Sequence, residues 1–144
     1  MYRSTIYRVV SDAVSDRDYQ RLLEFRTELR RFLRWSEEQA EALGITTAQH
    51  QLLLAVRGHA DRRGPTVGDV ADALLLRHHS AVGLVDRTVD AGLLRRESDP
   101  DDHRRVRLRL TGAGDRKLAR LSRRHLEELD RLTRGVFLEP AGSG

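Results

Sequence analysis

Between His78 and Leu110 the spacing of apolar residues switches from that of a helix to that of a strand, and both segments leave a polar side rich in cations. From His78 to Ala91 the residues Val82, Val85 and Val89 recur on one face of a 3.6-residue helix, with Ala81 and Leu84 widening the stripe. His79, Ser80, Gly83, Asp86, Arg87 and Asp90 fall on the opposite side. Gly92 supplies the left-handed position that ends a helix, and Leu93 follows as its apolar closure. Downstream, Val106, Leu108 and Leu110 alternate with Arg105, Arg107 and Arg109, which predicts a strand with one apolar face and one face of guanidinium groups. Its expected partner is Leu93 to Glu97, with the turn over Ser98 to His103 opened by Asp99-Pro100.

A short helix precedes this pair. Thr66-Val67-Gly68-Asp69 has the form of a capping box, Val70, Ala71 and Leu74 form a buried stripe, and Leu75-Leu76-Arg77 leaves only a tight turn before the next helix. The order helix, tight turn, helix, cationic hairpin is that of a winged helix-turn-helix, here spanning residues 46–111. In such a unit the second helix offers its polar side to base edges and phosphates in a major groove roughly 12 Å wide. Arg104, just past the hairpin tip, is placed to enter a minor groove. The surface expected to meet DNA is therefore the polar side of that helix together with Arg104, Arg105 and Arg107 of the hairpin. Taken singly, the helix also fits an ordinary solvated face, and the strand an edge kept soluble by arginine.

Composition agrees with this. The chain has 144 residues, enough for one domain with its own core, and 26 basic against 22 acidic side chains. Lys117 is the only lysine. Arginine suits bidentate phosphate and guanine contacts, although a GC-rich genome gives the same bias, so the positions of the arginines matter more than their number. With no cysteine, disulfides, thiolate metal sites and thiol-based peroxide sensing are excluded. No apolar run approaches the roughly 20 residues of a membrane span, and the N-terminus lacks a signal peptide's apolar core, so a cytoplasmic location is expected.

The outer segments read as helices that need a partner. From about Asp16 to Leu43, Leu22, Phe25, Leu29, Phe32, Leu33 and Leu43 recur at helical spacing, with Gly44 as the stop. Thr46-Thr47-Ala48-Gln49 opens another capping box, followed by Leu52, Leu53 and Val56. After Thr111, Leu118, Leu121, Leu126, Leu129, Leu132 and Val136 mark a long helix. Residues 16–43 and 112–138 are expected to join two copies into a homodimer, because one winged helix contacts too few base pairs for useful specificity. The apolar residues among positions 1–15 are read as an arm, and 139–144 as a disordered tail.

The stretch from about Leu43 to Leu121 resembles the MarR family of bacterial transcriptional regulators. The resemblance is carried by Leu84-Val85-Asp86-Arg87, Ala91-Gly92-Leu93 and Asp99-Pro100-Asp101-Asp102-His103-Arg104, then Val106 to Thr111 and Gly114. It implies a mainly α fold with a small β-hairpin (α+β) and a dimer on a palindromic operator in double-stranded DNA. It also implies a repressor relieved by a small-molecule effector, with His79, Ser80, Gly83 and Arg87 as the DNA contacts of the recognition helix, Arg104 as the wing's groove contact and Asp102 shaping the wing. Arg77 stands where serine commonly caps the recognition helix, Gly83 where a longer polar side chain often stands, and Thr88 where leucine is usual.

Other chemistry has little support. The six histidines show no HExxH or HxH spacing, and there is no phosphate loop, nucleophile elbow or catalytic carboxylate pair, so neither a metal, a cofactor nor an enzyme activity is expected. Phe25, Phe32, Trp35 and His59 are the candidate lining of a ligand pocket, aromatic spacing that also suits plain core. A dimeric winged-helix module that binds an acidic protein instead of specific DNA is the alternative function.

Overall fold

The computed structural model describes residues 13–136, the side chains of 135 and 136 excepted; all but residues 13–15 of the expected N-terminal arm, and the whole of the expected C-terminal tail, lie outside the described residues. The chain forms two compact units, Met1–Arg34 and Trp35–Gly144. Their boundary falls within the first helix, α1 (Asp16–Ala42). On the first unit's part of α1, Tyr19, Leu22, Leu23, Phe25, Leu29 and Leu33 are all exposed. That helix ends at Gly44, whose φ of +76° lies in the left-handed region where glycine alone is unstrained.

Within the second unit, α2 (Thr47–Arg57), α3 (Val67–Leu74), α4 (His78–Asp90), a hairpin of β1 (Leu94–Ser98) and β2 (Val106–Leu110), and α5 (Gly112–Val136) follow in order. Both expected capping boxes form. Thr46 and Gln49 satisfy each other's backbone N–H groups at the start of α2, and Thr66 and Asp69 do so at the start of α3. The hairpin is antiparallel, pairing Leu94 with Leu110 and Ser98 with Val106.

The buried side chains form one cluster around α2, which packs on α3, α4, α5 and β2. Leu52, Leu53 and Val56 of α2 meet Val70 of α3, Leu84 and Val85 of α4, Leu94 and Leu108 of the hairpin, and Leu118 and Leu121 of α5. Further along α5, Leu126 and Leu129 are exposed. No helix among the described residues is long and apolar enough to cross a membrane.

Two glycines let backbones approach more closely than any side chain permits. At Gly114 an added Cβ would lie 2.0 Å from the carbonyl oxygen of Leu93, and at Gly64, φ +85°, it would lie 2.4 Å from that of Leu108. The first docks the start of α5 on the hairpin, and the second docks the loop between α2 and α3 on β2.

Candidate nucleic-acid interface

The turn between α3 and α4 is made by Leu75, Leu76 and Arg77. Leu75 caps α3 in the left-handed region at φ 55°, and its side chain is 92% exposed. Arg77 stands at the N-cap of α4 in extended conformation with no side-chain cap, so the first N–H groups of α4 receive none from it.

The buried face of α4 consists of Ala81, Leu84, Val85 and Thr88, while Val82 and Val89 are only half-buried. That stripe is rotated from the expected valine face. Thr88 permits this because its hydroxyl donates to the carbonyl of Leu84 at 2.7 Å, so a polar side chain is satisfied within its own helix. His78, His79, Ser80, Asp86 and Arg87 are exposed and Gly83 is half-buried, as expected of a helix offered to a groove. Asp86 is paired with Arg96 of β1, which ties the exposed side of α4 to the hairpin.

The hairpin tip is held by acids. Asp102 accepts the N–H of Arg104 at 3.1 Å and lies 3.5 Å from that residue's Nε and 3.9 Å from the Nε of Arg105, while its own carbonyl accepts the N–H of Arg105. The guanidinium of Arg104 is 94% exposed, and that of Arg105 largely so. An arginine whose backbone is fixed and whose head is in solvent is placed to reach an external phosphate or groove.

Arg107 departs from the expectation. It is 5% exposed and does not face DNA. Its Nε donates to Asp99 at 2.9 Å and its Nη1 to the carbonyl of Gly64 at 3.2 Å. Alternation identified a cationic face on β2, but the loop before α3 covers that face, with Leu108 N–H donating to Pro65 at 2.8 Å. Asp99, only 1% exposed, also accepts the N–H of Asp101 at 2.9 Å. That N–H and the Arg107 guanidinium hold its carboxyl below the usual carboxylate range. Arg63 extends the cluster, 3.9 Å from Asp99 and 3.7 Å from Asp101. The signal that marks this arrangement in the sequence is Gly64-Pro65, where only glycine lets the loop approach β2.

The expected aromatic lining is distributed. Phe25 and Phe32 belong to the first unit, and Trp35 packs 4.8 Å from the His125 ring. His59 lies 3.9 Å from Asp69 and lines a cleft whose walls do not include Trp35.

A sequence model described as the MarR family matches residues 43–105. No curated protein matches the chain. Several solved structures share its fold. The MepR–DNA complex of Staphylococcus aureus is 23% identical, with 78% of this chain and 81% of that one covered at a TM-score of 0.66. A MarR family protein from Bacillus stearothermophilus is 23% identical over 85% and 84%, TM-score 0.70, and a MarR variant from E. coli is 22% identical over 86% of each chain, TM-score 0.65.

Proposed function

We propose that this chain, whose residues 43–105 match the MarR family model, is a homodimeric, sequence-specific regulator of transcription that represses from a palindromic operator and is released by a small-molecule effector. The observation that carries the DNA reading is Arg104. Its guanidinium is in solvent at the tip of a hairpin whose turn is fixed by the buried Asp99–Arg107 pair and whose β1 is tied to the exposed side of α4 through Arg96 and Asp86.

That geometry divides the work. His79, Ser80 and Arg87 on α4 read the major groove, Gly83 lets the helix backbone approach, and Arg104 and Arg105 engage the neighbouring minor groove and phosphates. Arg107 contributes by holding the wing, not by touching DNA. The dimer reading is supported by the exposed apolar side chains of α1 and by Leu126 and Leu129 of α5, large hydrophobic residues that a second copy would cover. Two such lobes address half-sites roughly 34 Å apart, so a ligand that binds the two lobe spacings unequally shifts operator affinity.

The test is binding to the DNA upstream of the chain's own gene against random duplex, over a salt series, with the mass in solution measured alongside. Expected are a dimer and specific affinity at least about a thousandfold above random duplex, falling steeply with salt. Equal affinity for both duplexes would overturn the regulator reading in favour of a protein-binding module.

A further inference from the structure

At the base of the hairpin, away from the wing tip, the second unit holds a cleft of about 540 Å³. Its walls include Arg57 at the end of α2, His59 and Arg62 in the following loop, Arg109 near the end of β2, and Gly112 and Asp115 where α5 begins. We infer that this cleft binds a phosphate group, free or carried by a small metabolite. The inference supplies an effector class for the regulator proposed above and rests on that reading only for its consequence, not for binding.

The charge balance carries the argument. Of the acids at the cleft, Asp61 is occupied by Arg63, which reaches it through Nε at 3.2 Å, Nη2 at 2.8 Å and its backbone N–H at 2.9 Å. Asp115 is taken by Arg57 at 3.3 Å. Glu97 serves both Arg95, at 2.8 Å, and Arg109, at 3.4 Å. Arg62 has no ion pair or hydrogen bond among the described residues, while the buried Nε of Arg109 has only the Glu97 carboxylate, 3.4 Å away and outside hydrogen-bond geometry, as a counter-charge. Arg62, without a partner, and Arg109, held only by Glu97, thus line one concave site from different elements. A tetrahedral anion with several acceptor oxygens matches donors arriving from separate directions, and the guanidinium fork matches phosphate in particular. The adjacent first turn of the 25-residue α5 adds favourable potential.

The volume is within the range of pockets that hold small molecules, which favours a phosphate ester over the bare ion. The DNA reached by Arg104 is a separate ligand: Val106, Arg107 and Leu108 of β2, at about 3.3 Å each, separate the cleft residue Arg109 from the wing tip. The loop that supplies Arg62 also supplies Gly64 and Pro65, which hold Arg107 and Leu108 of the wing. Occupancy of the cleft therefore bears on the segment that holds the wing, and shifts operator affinity to the extent that operator binding moves that segment.

Calorimetric titration of the full chain without DNA, at fixed ionic strength, tests the site with inorganic phosphate and glycerol 3-phosphate as probes. Expected is saturable binding of one anion per chain, weakened tenfold or more by Arg62→Ala and by Arg109→Gln and unchanged by Arg104→Ala. Arg62→Ala removes no partner and should melt like the parent chain, so its loss of binding is not a loss of fold. Tighter binding of the ester identifies a phosphorylated metabolite, and equal binding identifies free phosphate. Absence of saturable binding with both probes, or equal weakening by Arg104→Ala, overturns the proposal. Failure to bind an operator would leave this result standing, since no DNA is present.

Discussion

Arg107 donates its Nε to Asp99 at 2.9 Å across the turn of the hairpin, and both side chains are almost wholly withdrawn from solvent. A buried ion pair is a weak source of net stability but is costly to break from one side, because the remaining charge has no solvent. Its role here is geometric: it joins the wing to the loop before α3 through the Gly64 carbonyl. Asp99→Asn keeps the shape and removes the charge, and should lower stability at neutral pH more than Arg95→Ala or Arg131→Ala does at exposed pairs. The carboxyl of Asp99 is held below its ordinary value of 3.8 in the fold, so its contribution is present above that value and is lost as pH falls through the lower, folded one. Urea denaturation at pH 7 and pH 3 should therefore show the gap between parent and variant closing in acid. A gap that is constant with pH would contradict the assignment.

Removing the guanidinium at the wing tip tests a different part of the hairpin. Arg104→Ala should cost about 1 to 3 kcal/mol in operator binding and reduce the slope of log affinity against log salt by about one if the contact is to phosphate. Its melting temperature should not change, since the side chain is in solvent and its pairing with Asp102 is an exposed one. A destabilised chain with unaltered operator affinity would assign Arg104 to structure instead of binding. Fluorescence anisotropy over a salt series, with thermal melts, separates the two.

The sequence displays these two arginines three positions apart with equal prominence, and only one is in solvent. Alternation along β2 reports which residues share a face, and the backbone honours it, but what covers each face depends on a loop brought over from residues 58–65. The same limit applies to α4. Its span was readable from periodicity and from Gly92, whereas its rotation was not, because Thr88 buries itself by bonding to Leu84 and hydrophobic spacing does not register a self-satisfied hydroxyl. Features that are local in sequence were legible: the capping boxes at Thr46 and Thr66 and the alternation along β2. The cationic cleft was not, since Arg57, Arg62 and Arg109 meet only after folding.

Two residues of the turn between α3 and α4 work against local preference. Leu75 adopts the left-handed region, which costs a non-glycine residue about 1 to 2 kcal/mol, and its exposed side chain recovers little by burial. Leu75→Gly should therefore stabilise the chain by about 0.5 to 1 kcal/mol after the added unfolded-state entropy of glycine is counted. Arg77→Ser supplies the missing cap of α4 and should add about 1 kcal/mol. Denaturant midpoints should rise for both, with unchanged slopes. A fall on Leu75→Gly would mean that Leu75 is buried against something, such as a second copy.

Glycine to alanine substitutions at Gly114 and Gly83 should have opposite signs. A Cβ at Gly114 meets backbone atoms, 2.0 Å from the Leu93 oxygen and 3.0 Å from its carbon, so α5 must move off the hairpin. Gly114→Ala should destabilise by at least about 1 to 3 kcal/mol. At Gly83 the nearest atom is the Nη1 of Arg87 at 3.2 Å, the far end of a flexible side chain. Gly83→Ala should stabilise α4 by about 1 kcal/mol through helix propensity alone. The same sign at both positions would show that close backbone approach does not account for Gly114.

His50, on α2, is buried with its ring 4.8 Å from that of His125 on α5. On the His125 ring, Nδ1 lies 2.7 Å from the Leu121 carbonyl oxygen, and Nε2 lies 2.7 Å from the hydroxyl of Ser36 on α1. A carbonyl can only accept, so Nδ1 carries a proton. Burial, and secondly the neighbouring His125, lower the pKa of His50 below its ordinary 6.5. The unfolded chain then binds a proton near that value which the folded chain refuses, so stability is full above about pH 6.5 and declines as pH falls below it. His50→Gln removes the titration while keeping a polar side chain of similar length. Melting curves from pH 7.5 to 5.5 should fall for the parent chain and flatten for the variant. Parallel curves would show that the acid sensitivity lies elsewhere and that His50 accepts its proton inside the fold.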